Sequence, residues 1–425
     1  MIREIPKTIV VLAHLAAPGS AAKLDYLESL DGSLRTYGFR LLLVDQAGIE
    51  LETPCATKTI PVDIVSGKAL DDRLRHELDT KPDLRHAVDM ETGFRGQNWE
   101  VAARKTIGVA SFVRDLLKYE RAALCVLWHQ FNGCCTALAS LCGEMGKPVV
   151  FAHLGCLPRT VVFESGGQMA ESWVARENER FLKLPVVEPD LEVSRTYLDI
   201  VRQEKADRKP QTEEWSIRQV IERHRKLGRK VVFYAGHNDY RTGIRPRTLP
   251  NSSLHSPFYS GTLDALRHLA ELAEEYEWTI LFKPHPNIQS EYDCEALAYG
   301  DHVEPVIGAN VFECLQESDV TVTVVSQVSY LALIHERPLV LLGNLPLRGK
   351  GCAYEIANRE DVARLVEQAV DTGFTPEQRQ AWERHVAQLL KYYLFAIDQR
   401  TVDCIGRGLD EAARFLISES RLPTI

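Results

Sequence analysis

Short runs of consecutive apolar residues alternate along this chain with longer stretches whose apolar positions recur every three or four residues. Thr8–Ala13 is one such run, the stretch near Ser20–Tyr37 has helical spacing, and Phe39–Asp45 is apolar again. Strand, helix, strand in that order predicts a parallel βαβ unit. Helical spacing returns between Asn98 and Tyr119. A strand then follows at Ala122–Trp128, a helix near Asn132–Met145 and a strand at Pro148–Ala152. The runs are continuous rather than alternating, which suits strands covered by helices on both faces.

From about Pro185 to Glu214 the chain turns polar, with Glu-Lys-Ala-Asp-Arg-Lys-Pro-Gln at 204–211. This stretch reads as an interdomain connection, although Glu188–Gln203 also fits a helix. The alternation then restarts. Lys230–Gly236, Trp278–Phe282, Asp319–Val325 and Pro338–Leu342 read as strands. Thr262–Glu277, Val311–Glu317 and Val328–Glu336 read as helices, and helical segments near Glu360–Asp371 and Pro376–Ile417 close the chain. The pattern predicts an α/β protein of two Rossmann-like, doubly wound parallel-sheet lobes facing a cleft. We place the first lobe at residues 1–200, the connection at 201–212 and the second lobe at 213–375. Residues 376–425 are closing helices that pack back on the first lobe.

Composition narrows the class without changing this plan. A chain of 425 residues is too long for one ordinary core. No window approaches the ~18–20 uninterrupted apolar residues of a membrane span. Met1–Thr8 leads straight into the first strand without an apolar leader, so a cytoplasmic location is expected. Ten cysteines are scattered with no C-x-x-C pair, which predicts buried thiols rather than disulfides or zinc. The formal charge of −9 argues against non-specific nucleic-acid binding. One basic run, Arg223–Lys230, reads first as a solvated helix end and second as a contact with anionic lipid head groups, a peripheral membrane attachment.

In doubly wound sheets, ligands bind outside the carboxyl ends of the strands. The unusual residues of this chain cluster there. No G-x-G-x-x-G and no P-loop follows any strand, which disfavours dehydrogenases and P-loop nucleotidases. Lys283-Pro-His-Pro286 follows directly on a strand. The two prolines restrict the backbone on both sides of His285, and beside Lys283 the pair suits a phosphate. Ser326-Gln-Val-Ser329 opens a helix after another strand, where Ser326 can act as N-cap and Gln327 and Ser329 can face a phosphate. Gly236–Gly243 holds His237, Asn238 and Asp239 between two glycines, a set that reads equally as a functional loop or as an ordinary Asp-rich turn. Leu157–Ser172 carries Glu164, Gln168, Glu171 and Ser172, either a cleft-facing polar set or a surface loop with a hairpin turn at Gly166-Gly167.

The stretches Ser256–Pro286 and Ser326–Gly343 resemble those of bacterial capsule and lipopolysaccharide biosynthesis transferases. Within that group the chain is most similar to the retaining β-Kdo transferases, and Gly236–Gly243 and Leu157–Ser172 look like that family's loops too. The resemblance spans about Trp128 to Gly351. It implies a GT-B-like glycosyltransferase of capsule or O-antigen synthesis. The donor would be CMP-Kdo, the acceptor a saccharide, lipid-linked in one version, and no metal or other cofactor is expected. It further implies that Lys283, His285, Pro286, Ser326, Gln327, Ser329, His237 and Asn238 bind the donor. Asp239 would be the nucleophile of a double displacement. Glu171, or second Glu164, would be a first-lobe carboxylate assisting the acceptor, with Gln168 and Ser172 beside it. The family pattern leads one to expect an acidic residue early in Ala152–Gly155, and this chain has none. The His-Pro and serine-loop pairing is shared with sialyltransferases. UDP-GlcNAc epimerases, polyol-phosphate polymerases using a CDP donor, and a non-catalytic sugar-binding subunit remain alternatives.

Overall fold

A computed structural model describes residues 6–17, 20–66, 72–206, 216–286 and 299–421. The chain divides into two compact units, each built on its own sheet. The first unit comprises Met1–Gly155, Thr160–Gln168 and Leu394–Ile425, the second Cys156–Arg159 and Met169–Tyr393.

In the first unit, β1 (Lys7–Ala13), β2 (Phe39–Asp45), β3 (Ala56–Thr57), β4 (Leu124–Trp128) and β5 (Val149–Leu154) run parallel. Next comes β6 (Thr160–Glu164), antiparallel to β5 with Phe151 opposite Glu164 and Leu154 opposite Val161. The continuous apolar pattern has the expected cause. Val10 and Leu12 of β1 face a core built with the helices Pro82–Arg95, Trp99–Tyr119 and Gly133–Glu144. Ile9, Val11 and Ala13 face a second core with the helices Ala21–Arg35 and Leu409–Glu419. Asn98 and Asn132 start two of these helices by accepting N–H bonds from Glu100 and Cys135 respectively. Cys125, Cys134, Cys135 and Cys142 are buried in this packing, none of them in a disulfide.

In the second unit, β7 (Lys230–Ala235), β8 (Trp278–Lys283), β9 (Val303–Pro305), β10 (Val320–Thr323), β11 (Leu339–Leu341) and β12 (Tyr354–Glu355) form a wholly parallel sheet. Its order is β12-β11-β10-β7-β8-β9. The chain then returns to the first unit with β13 (Phe395–Ala396), antiparallel to β6, completing the order β13-β6-β5-β4-β1-β2-β3. The α/β class of two doubly wound Rossmann-like units is therefore as expected. Among the described residues, no helix is long and apolar enough to cross a membrane.

Three expectations change in detail. The first sheet is not wholly parallel, because Leu157–Ser172 contains strand β6. Its hairpin turns at 155–159 rather than at Gly166-Gly167. The units also do not divide near residue 200. Helix Glu188–Gln203 buries Tyr197, Leu198 and Val201 and is tied to helix Pro376–Tyr392 by Lys391–Asp190 (2.7 Å) and Arg195–Glu383 (2.9 Å). Its polarity marks one exposed face, not a linker; residues 207–212 of the expected connection lie outside the described residues. Finally, helix Pro376–Tyr392 belongs to the second unit, so the return to the first begins only at Leu394. The basic run is largely committed within the second unit. Arg223 and His224 pair with Glu304, and Arg225 with Asp319.

His385 lies on helix Pro376–Tyr392, buried between Phe181 and Trp382 with ring centroids at 5.6 and 6.1 Å. Neither ring nitrogen has a partner among the described residues. Burial, reinforced by the Lys350 ammonium, holds its pKa well below the ordinary histidine value. The unfolded chain takes up this proton near pH ~6.5, whereas the folded chain does not, so stability falls as pH drops through that value. We predict that His385→Phe flattens the acid limb of stability by about 1 kcal/mol per pH unit between pH ~6.5 and ~5.5. Urea melts of both proteins across that range check it; parallel limbs would refute it.

Candidate functional site

In the second sheet the connections run outward from β7 through β8 and β9, then restart at β10 and run the other way through β11 and β12. The reversal falls between β7 and β10, where the segments leaving the two strands diverge and leave a crevice. The segment after β7 is Gly236-His-Asn-Asp239 and that after β10 leads to Ser326. Thr323 joins them: its hydroxyl donates to Ala235 O (3.0 Å) and accepts from the Ser326 N–H (3.1 Å). On the other side of β7, Lys283 ends β8 opposite Ala235 and accepts from the Gly236 N–H at 2.9 Å. His285 and Pro286 follow, half-buried and exposed respectively. Residues 287–298 lie outside the described residues. Three adjacent strand ends, about 4.8 Å apart in such a sheet, thus carry the expected donor-side residues.

Asp239 is the most constrained of them. Its side chain is 13% exposed, and Oδ1 accepts from His237 Nε2 (2.9 Å), the Thr262 N–H (3.0 Å) and the Thr262 hydroxyl (2.9 Å). Oδ2 lies 3.6 Å from Arg245 Nε. Burial pushes the carboxyl's pKa up. The His237 hydrogen bond and charge and the Thr262 donors more than offset it, holding it below the usual carboxylate range. Thr262 begins the helix Thr262–Tyr276, so Asp239 also satisfies an amide at that helix's N-terminus. Gly261 makes this approach possible: at φ +156°, an added Cβ would stand 2.2 Å from Asp239 Oδ2. Beside it, Asn238 accepts from the Tyr240 and Arg241 N–H groups (3.2 and 3.1 Å). The amide nitrogen of Asn238 is buried without a partner among the described residues.

The serine segment differs from expectation by one residue. Gln327, not Ser326, is the N-cap of helix Val328–Ile334, and Ser326 Oγ accepts a long bond from the Val328 N–H (3.4 Å). Ser329 is fully buried, and among the described residues its hydroxyl has no partner, nor has the buried Gln327 Oε1. With seven residues, this helix offers hydroxyls and amides rather than a strong dipole.

The expected acceptor-side residues divide between the units. Glu164 ends β6 and is buried in the first unit. There Gln168 and Gln130 bond reciprocally, each side chain to the other's backbone; the Gln130 N–H meets Gln168 Oε1 at 3.0 Å. Glu171 and Ser172 belong to the second unit, not the first as expected. There Glu171 accepts from His255 Nε2 (3.1 Å) and Asn251 Nδ2 (2.9 Å), and the Ser172 hydroxyl caps helix Trp173–Arg176 through the Ala175 N–H (3.3 Å). His255, fully buried, is a residue that sequence reasoning missed. Its only signal is its place just before Ser256-Pro-Phe-Tyr259.

The first unit has a reversal of its own, between β1 and β4, and sequence reasoning missed what stands there too. His14 follows β1 directly, and its Nε2 meets Asn132 Nδ2 at 3.2 Å. Lys23 donates to His14 O (2.6 Å) and lies 5.4 Å from the Trp128 ring; burial, against the Asp45 charge, lowers its pKa to about 8. His129 follows β4 at φ +90°, a conformation costly for a residue with a side chain. Its N–H is bonded to Leu127 O (3.1 Å) and Ala152 O (3.0 Å), and its ring meets that of His153 at 4.7 Å. The rule that sites follow strand ends would have found both histidines. Among the described residues, no group of three or more histidine, cysteine or acidic side chains could hold a metal ion.

No known family model matches the chain, and no curated protein matches it. Solved structures do. The β-Kdo 2,7-transferase of KpsC from Thermosulfurimonas dismutans is 17% identical, over 72% of this chain and 88% of that one, with a TM-score of 0.42. The β-Kdo 2,4-transferase of the same protein is 13% identical over 70% and 87%, with a TM-score of 0.45. The UDP-GlcNAc 2-epimerase of Methanocaldococcus jannaschii, bound to UDP-GlcNAc and UDP, is 12% identical over 90% and 99%, with a TM-score of 0.40.

The Gly261 contact makes a prediction of its own. Gly261→Ala must displace the Asp239 carboxylate from the helix start, at a cost of about 1–3 kcal/mol. Denaturant melts measure it, and unchanged stability would show that the contact relaxes freely.

Proposed function

We propose that this chain is a nucleotide-sugar-dependent glycosyltransferase of bacterial surface polysaccharide synthesis, with CMP-Kdo as donor. The observation that carries the reading is the anionic, shielded Asp239 at the reversal of a parallel sheet, with His285 and Ser326 after the flanking strands. Lys283, His285, Ser326 and the amides of that segment supply positive charge and donors for one phosphate. His237 and Asn238 border the sugar, and Pro286, Gln327 and Ser329 complete the donor side. The acceptor is a saccharide, and the work is done in the cytoplasm, at the membrane face if the acceptor is lipid-linked.

In this reading Asp239 forms a bond to the anomeric carbon as the bond from that carbon to the CMP phosphate oxygen breaks. CMP leaves with the electron pair. The acceptor hydroxyl then forms the new glycosidic bond, Asp239 is released as carboxylate, and the hydroxyl proton passes to Glu171. Two inversions give retention. No metal is required.

CMP at a hundred times its Kd should stabilise the protein by about 2.7 kcal/mol, and His285→Ala should remove most of that shift. A shift with UDP and none with CMP would favour the epimerase-like alternative. Withholding acceptor from Glu171→Gln should leave the sugar on Asp239, detected by intact-protein mass spectrometry and peptide mapping. Substantial transfer by Asp239→Ala would end the nucleophile assignment.

A further inference from the structure

The segment that carries Asp239 also carries three arginines, and they are held differently. Arg247 is fixed by its Nη1, which donates to Ser252 O (3.4 Å) and Ser256 O (3.2 Å). Arg241 follows the turn closed by Asn238. Arg245 is held through Nε alone, 3.3 Å from Ser260 O and 3.6 Å from Asp239 Oδ2. Its side chain is 43% exposed, and neither Nη bonds to any described residue. Its backbone N–H donates to Asp239 O at 3.0 Å, so side chain and nucleophile share one short turn.

The donor proposed above presents an electrostatic problem at this place. Its anomeric carbon bears a carboxylate, and Asp239 must approach that same carbon to about 3–3.5 Å before reacting. The two carboxylates then come within about 4 Å of each other. Like charges at that distance repel by about 1 kcal/mol in water and about 4 kcal/mol near a protein surface. Asp239 is largely shielded, which puts the pair nearer the second value. A cation must therefore reach both groups. His237 is on the Oδ1 side of Asp239 and Arg245 on the Oδ2 side. A guanidinium anchored through Nε keeps two parallel N–H groups for bidentate pairing with a planar carboxylate. The buried Asn238 amide nitrogen is a further donor in the same turn.

We propose that Arg245 is the specificity residue that pairs with the carboxylate of the donor's sugar, selecting an acidic 2-ulosonyl donor over a neutral hexosyl one. This rests on the reading of Asp239 and the CMP-linked donor given above. A neutral sugar would leave the guanidinium fork without a partner and would not need it.

The test is isothermal titration of the wild type, Arg245→Gln and Arg245→Lys with CMP and with CMP-Kdo, without acceptor. The wild type should bind CMP-Kdo more tightly than CMP. Arg245→Gln should weaken CMP-Kdo at least tenfold while changing CMP less than about twofold, the retained CMP affinity also showing that the variant is folded. Arg245→Lys should fall between, since an ammonium keeps the charge but not the fork. Equal losses for CMP and CMP-Kdo would place Arg245 on the phosphate and overturn the proposal. So would two unchanged affinities. A wild type that binds UDP-GlcNAc and ignores both CMP ligands would instead overturn the parent reading, and this one with it.

Discussion

Each sheet of this protein is covered by helices, and that constraint governs where chemistry can be placed. The strands of β1, β2, β4, β7 and β10 are buried nearly throughout, so their side chains are consumed by packing. Polar groups can meet a ligand only where a strand ends and its successor has not yet begun. Both sheets reverse their winding once, and at each reversal two connecting segments separate. His14 and His129 stand at one such place, Asp239 and Ser326 at the other.

Within the second unit, the electrostatics of the crevice are set by a helix start. Asp239 serves the first amide and hydroxyl of helix Thr262–Tyr276, and this fixes its position while keeping it ionised. Hydrogen bonds that hold a carboxylate in place also lower its basicity. A nucleophile built this way favours departure from the sugar as much as attack on it, which suits a two-step transfer better than a stable ester. The same bonds are what an orienting carboxylate would want, so mass spectrometry of the trapped sugar, not geometry, separates the two roles.

Much of the fold was legible because a doubly wound sheet has a plain rhythm of apolar run and amphipathic helix. The predicted strands at Thr8–Ala13, Phe39–Asp45 and Trp278–Phe282 match β1, β2 and β8 closely. Where the rhythm broke, so did the reading. β6 forms an antiparallel hairpin with β5, so no crossover helix announces it, and Pro158 and Gly166-Gly167 make it look like a loop. Helix Glu188–Gln203 seemed a linker because its outer face is charged. Its inner face finds a partner in Pro376–Tyr392, nearly two hundred residues later. The segments Gly236–Asp239, Lys283–Pro286 and Ser326–Ser329 were readable as a group because each follows a strand in the sequence. The bonds of Glu171 to His255 and Asn251 were not, since they join segments some 80 residues apart.

The return of the chain to the first unit bears on the order in which the molecule is made. Strand β13 pairs with β6, and Tyr37 receives its partner Asp410 across a separation of 373 residues. A ribosome delivers every residue of the second unit before it delivers Leu394. The unit that is started first is therefore finished last, and it must wait with the outer side of β6 and one face of helix Ala21–Arg35 uncovered. An unpaired strand and an exposed apolar helix face are what chaperones bind and what aggregation exploits. The surface left uncovered longest during synthesis thus belongs to the amino-terminal sheet, whatever the speed at which the other one folds.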